Sequence, residues 1–145
     1  MDSSELSSRV GNAAIKVHKE LGPFLNPSIY RSCMVMELRG MGIRVQSQVS
    51  LPVFYRGKKL KGEEFEIDLL VENELLVQIL ALERVLEFHK RQILMYLQVA
   101  RKPLGLLINF GERVLVTSFE GSSALNPSPS QRTEAAQAKS YAVSF

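Results

Sequence analysis

The chain has 145 residues, 46% of them apolar and 23% charged, which is the balance of one ordinary globular domain with a single packed core. Lys and Arg number 18 against 15 Asp and Glu, and residues 1–120 alone hold 16 bases and 14 acids, too mild an excess to imply a polyanion partner by itself. The lone Cys33 excludes an intramolecular disulfide framework and a Cys-clustered zinc site, and a reducing cytoplasm is the expected compartment.

The opening MDSSELSSRV lacks the basic start and apolar run of a secretory leader, and no export by that route is expected. Leu6, Val10, Ala13, Ala14, Val17 and Leu21 recur every three or four residues, predicting an amphipathic helix over 4–21 capped by Asp2, Ser3 or Ser4. Gly22-Pro23 stops it, with glycine expected in the left-handed C-terminal position. Asn26-Pro27 restarts a helix to about Arg39, asparagine as cap and proline where a missing N–H costs nothing.

From Ile43 the apolar period becomes two, through Val45, Val49, Leu51, Val53 and Tyr55. Arg56-Gly57-Lys58 reads as a turn, Phe65 to Val71 as a second strand, and Glu72-Asn73-Glu74 as a turn into Leu75–Leu82. That last strand is the more uniformly apolar of the two, as at the centre of a sheet covered on both faces. Residues 85–100 return to helical spacing, and Leu104–Phe110 and Arg113–Phe119 read as two final strands. The longest apolar stretches fall well short of the roughly 20 residues a membrane span requires. Residues 121–145 are a low-complexity tail with three charged residues, and ordering it requires packing on the domain or on a neighbouring chain.

Several stretches carry a family resemblance: Ile15 to Pro23, the helix with Tyr30, Leu51-Pro52-Val53, Ile67-Asp68-Leu69-Leu70-Val71, the region of Glu83, the helix with Gln92 and Tyr96, and Leu106 to Phe110. Over about residues 5–119 they resemble the GxxExxY proteins, a branch of the PD-(D/E)XK nuclease superfamily. The resemblance implies an α/β (α+β) domain over 1–120 with a restriction-endonuclease-like mixed central sheet flanked by helices. It also implies an Asp and a Glu on adjacent strands holding Mg²⁺, with a Lys two residues after the Glu. Such a set suits the metal, which prefers hard oxygen ligands and lowers the pKa of bound water.

Carried onto this sequence, the Asp is Asp68, the Glu falls on Gln78 and the Lys on Leu80; the name-giving Gly and Glu fall on Phe24 and Pro27, leaving Tyr30. Glu66, two residues from Asp68 and on the same strand face by plain alternation, is the first candidate to replace the lost carboxylate, and Glu83 or Lys90 are others. Tyr30, Gln92 and Tyr96 are possible relics of the site. His18 and His89, lone histidines at apolar-period positions, are expected to pack or hydrogen-bond, and Cys33 to face the core together with Met36.

Arg56, Lys58, Lys59 and Lys61 form the densest basic cluster, readable as phosphate contacts or as a solvated hairpin protected from edge pairing. The charged set is depleted while the scaffold is kept. The expectation is a catalytically inactive nuclease-fold protein acting in self-assembly or protein interaction, with no cofactor. Partners are copies of itself or another protein, and no membrane. The alternatives are a non-cleaving nucleic-acid binder, or a Mg²⁺-dependent nuclease with migrated ligands.

Overall fold

The Asp2 carboxylate accepts the Glu5 N–H at 2.7 Å and starts helix α1, Ser3–Leu21. Gly22 ends it at φ 77°, ψ −173°, a region only glycine occupies comfortably, rather than in the left-handed helical cap expected from the sequence. Asn26 caps α2, Pro27–Gly40, by accepting the Ser28 N–H at 3.0 Å. Between the helices Tyr30 fastens the connection: its hydroxyl donates to the Gly22 carbonyl and accepts the Leu25 N–H, while its buried ring stacks on Phe110 with centroids 4.1 Å apart.

This computed structural model describes residues 1–121 and 138–143. The described strands are β1 (Val45–Tyr55), β2 (Lys58–Val71), β3 (Leu75–Leu80), β4 (Leu104–Phe110), β5 (Val114–Glu120) and β6 (Ala138–Val143), with α3 (Glu87–Ala100) between β3 and β4. They form one mixed sheet in chain order, antiparallel throughout except for the parallel pair β3–β4, whose crossover is α3. The α+β, restriction-endonuclease-like architecture follows from that arrangement.

Helices α1 and α2 cover one face of the sheet. Val10, Ala13 and Ala14 of α1 and Tyr30, Met34 and Leu38 of α2 are fully buried there, and the two alanines let the first helix approach closely. On the other face α3 packs Ile93, Tyr96 and Leu97 over Leu76 and Leu107. The apolar run of β3 is thereby explained, with Leu75, Val77 and Ile79 facing the first cluster and Leu76 and Leu80 facing the second.

Three details differ from the sequence reading. Strand β3 ends at Leu80 rather than Leu82, because the Asn109 side chain takes over the pairing beyond it. Lys58 to Lys61 belong to β2, since the turn needs only Arg56 and Gly57, both at positive φ (51° and 77°) as a type I′ hairpin demands. Met36 is 75% exposed rather than core, whereas Cys33 is half-buried against the α1–α2 cluster. Within the tail, β6 pairs its backbone with β5 of the same chain, Val143 opposite Val114 and Ala138 opposite Phe119. Residues 122–137, Ser144 and Phe145 lie outside the described residues.

Candidate active-site fork

Strands β2 and β3 pair backbone to backbone only from Leu69–Val77 to Val71–Leu75. At Asp68 they part, and side chains replace the ladder. The Asp68 N–H donates to Gln78 Oε1 at 2.7 Å, and the Ile79 N–H donates to Asp68 Oδ2 at 2.8 Å. The other carboxylate oxygen, Oδ1, takes the guanidinium of Arg31 at 3.0 Å. The Arg31 and Asp68 side chains are 20% and 18% exposed, so the ion pair stands at the rim of the fork and is only partly screened by water.

The strand also changes face here. Ile67 packs in the cluster under α3 and Leu69, two residues on, in the cluster under α1 and α2, so period-two alternation fails across Asp68. Opposite it in β1, Gln48 lies at φ 54° between Ser47–Leu69 and Val49–Ile67. The twist places the carboxylate in the gap between strands, within reach of α2 through Arg31. Tyr96 of α3 approaches from the other side: burial raises its pKa, and the nearby Asp68 charge raises it further.

The remaining positions are filled by packing or stand apart. Leu80, where the resemblance expects a lysine, packs against the α3-side cluster. Glu66, opposite Ser50, is exposed on β2. Gln92 is exposed on α3, so the fork gathers Tyr96 and not its helical neighbour. Pro27 opens α2 as its first helical residue, exposed. Phe24 keeps a positive φ of 63°, the conformation that suits the glycine found there in the family pattern, while its N–H donates to the Phe110 carbonyl at 3.1 Å. Lys90 is half-buried and Glu83 exposed.

Both histidines make structural hydrogen bonds. Buried His18 donates its Nε2–H to the Gly111 carbonyl at 2.7 Å, and His89 Nδ1 accepts the Leu86 N–H at 3.0 Å at the start of α3. Two residues that matter were not singled out from the sequence. Arg31 looked like any helical arginine. Asn109, 4% exposed, clasps Leu82 in both directions, Oδ1 accepting its N–H and Nδ2 donating to its carbonyl, each at 2.8 Å. Thus the sheet opens on both sides of β3, and a side chain closes each opening. Beside the second clasp, Phe24, Glu83, Asn109, Gly111, Glu112, Arg113 and Leu115 line an open cleft of about 470 Å³.

The fold and this fork define a nuclease-type α+β domain. A family model of the PD-(D/E)XK nuclease superfamily matches residues 4–120, and the chain belongs to that superfamily. Among solved structures, it is similar to the crystal structure of SSO0001, with 16% identity and a TM-score of 0.53 over 74% of this chain; it spans 55% of that protein's length. That likeness concerns the fold alone. No curated protein matches the sequence.

The donor set at the fork does not fit the divalent cation the superfamily implies. A hard cation requires several free oxygens. Asp68 has both of its oxygens engaged, Gln78 brings a neutral amide turned onto the Asp68 N–H, and Leu80 brings hydrocarbon. Among the described residues no group of three or more His, Cys, Asp or Glu is placed to hold a metal, and no helix is long and apolar enough to cross a membrane.

Proposed function

We propose that this chain is a non-hydrolysing member of the superfamily that works by binding. One observation carries the reading: both oxygens of Asp68 are engaged within the chain, one by the guanidinium of Arg31 and the other by the Ile79 N–H that closes the sheet. Phosphodiester hydrolysis in this superfamily depends on a cation to activate water and neutralise phosphate charge, and a guanidinium supplies no ionisable bound water. The chemistry of the fork is therefore that of a structural clasp.

The test is incubation of the purified chain with single- and double-stranded substrates across Mg²⁺ and Mn²⁺. No cutting is expected; metal-dependent cleavage that vanishes in Asp68→Ala would overturn the reading and favour migrated ligands such as Glu66. Replacing Pro27→Glu, Gln78→Glu and Leu80→Lys together examines the correspondence with the family set, since recovered cleavage would place those positions in the ancestral site.

Assembly, or docking to another protein, draws support from the outer face of α3, where Phe88 (58% exposed), Met95 (40%) and Val99 (42%) follow one another at helical spacing, with Gln92 in the same stripe. Light scattering across a concentration series tests self-association: a larger particle that dissociates in Met95→Glu supports it, and a concentration-independent monomer removes it.

A further inference from the structure

The hairpin formed by the ends of β1 and β2 runs exposed from Phe54 through Glu64, beyond any covering helix. Its apex holds Arg56, Lys58, Lys59 and Lys61, with no acid between Phe54 and Lys61. It also holds Phe54 and Tyr55, 59% and 53% exposed. Protection against edge pairing accounts for the lysines, for Pro52 and for the register shift between Pro52 and Phe54. It does not account for two adjacent aromatic rings left more than half exposed at a tip.

We infer that this ribbon tip is a binding site for single-stranded nucleic acid, separate from the Asp68 fork. Successive strand residues point to opposite faces, so Phe54 and Tyr55 offer a ring on each side of the ribbon. Their cross-strand partners are Lys59 and Lys58 respectively, so each ring has an ammonium-bearing neighbour on its own face. A flat apolar ring beside a cation suits an unstacked base beside its phosphate. The guanidinium of Arg56 lies 5.3 Å from the centre of the Tyr55 ring, fixing that ring without consuming the charge.

The footprint is short. Glu63, Glu64 and Glu66 follow directly along β2 and repel a strand continuing toward the body, so contact is confined to the apex. Asp68 lies seven residues beyond Lys61, about 20 Å along an extended strand. A duplex keeps its bases stacked and offers no flat faces to the two rings, which is why the surface favours a single strand.

The naming of this partner rests on the reading that the chain binds rather than cuts, and the test separates the two. Fluorescence anisotropy with a labelled 20-nucleotide oligodeoxythymidine, in EDTA, is followed from 50 to 300 mM NaCl. Binding at 50 mM is expected, with log K falling against log salt at a slope of about −2 to −3, as three or four phosphate contacts on a single strand give. Changing Arg56, Lys58, Lys59 and Lys61 together to Gln should abolish both binding and slope. Phe54→Ala with Tyr55→Ala should weaken binding about thirtyfold or more and leave the slope unchanged. All six side chains are exposed, so circular dichroism and melting temperature should stay at wild-type values and exclude unfolding as the cause.

Absence of binding at 50 mM, an unchanged slope in the four-fold Gln variant, or equal or tighter binding of the duplex form would overturn the assignment. So would retention of the chain on anionic phosphatidylserine vesicles through these same residues without oligonucleotide binding. Cleavage in Mg²⁺ is a separate readout on a denaturing gel and bears on the hydrolytic question alone.

Discussion

Removing the guanidinium from the fork by Arg31→Ala tests whether Asp68 is a structural clasp. The carboxylate would then keep only the Ile79 N–H among its present partners. A charged hydrogen bond contributes about 1.5–3 kcal/mol, and a fully buried pair costs about 3–5 kcal/mol to break from one side. The two side chains are 20% and 18% exposed, so water recovers part of that, and a loss of about 2 kcal/mol is expected. For a chain of 145 residues it corresponds to a melting-temperature drop of roughly 7 °C. Asp68→Ala should cost more, about 3 kcal/mol, because it also strips the Ile79 N–H and leaves Arg31 without its counter-ion. In the double variant the two losses should not add, with a coupling of about 1–2 kcal/mol in urea unfolding. A carboxylate poised to bind metal behaves in the opposite sense, since function-bearing charges tend to be held at a cost to stability. An Asp68→Ala variant more stable than the wild type, or a neutral Arg31→Ala with no coupling, would refute the clasp.

Asn109→Asp should destabilise by about 1–3 kcal/mol in urea unfolding, because an aspartate can still accept from Leu82 but has no Nδ2 hydrogen for its carbonyl. Gly111→Ala should be harmful as well, since a Cβ there would lie 2.9 Å from the Leu82 carbonyl oxygen, a backbone atom with little room to yield. The Tyr96 pKa is raised in the folded chain by burial and by Asp68, so its stabilising contribution is complete below the unfolded tyrosine value near 10 and is lost as pH climbs through the folded one. Absorbance titration of tyrosinate should therefore lose a component that ionises above the ordinary tyrosine value in Tyr96→Phe and show it shifted downward in Asp68→Asn. Phe24→Gly should be close to neutral in thermal melts, relief of the left-handed backbone (φ 63°) offsetting the added freedom of the unfolded chain and the loss of a ring that is 44% exposed.

The helices and strands were legible in the sequence wherever one face of an element is buried along its whole length. Val10, Ala13, Ala14 and Val17 repeat at helical spacing because α1 lies flat on the sheet, and Leu75 to Leu80 is apolar at every position but Gln78 because both faces of β3 are covered. The same logic failed at Asp68. Alternation assigns Glu66 and Asp68 to one face, but β2 twists there and Ile67 and Leu69 enter different clusters, a change that periodicity cannot register. Strand ends were misread for a related reason: Leu82 is apolar and follows β3, yet its backbone is paired by a side chain of β4, not by a strand.

The depleted charge set was visible as residue types, whereas its consequence required geometry. Against the set the resemblance implies, Gln78 and Leu80 stand in for a carboxylate and an amine, but only the fold shows that the amide turns inward to the Asp68 backbone and that Leu80 joins a hydrocarbon cluster. Arg31 gave no signal because an arginine on an exposed-looking helix position has no pattern to break, and its partner lies 37 residues away. Phe24 is the instructive intermediate. Its positive φ is a conformation that favours glycine, the residue the resemblance expects at this position, so the backbone is compatible with that correspondence although the side chain departs from it. Tyr30 survives for a reason independent of any chemistry at the fork, since its hydroxyl and ring tie α1, α2 and β4 together. Tyr30 stays where the scaffold needs it and Asp68 stays as a clasp, whereas Gln78 and Leu80 stand where the resemblance expects a carboxylate and an amine, a contrast that supports the proposed non-hydrolysing chain.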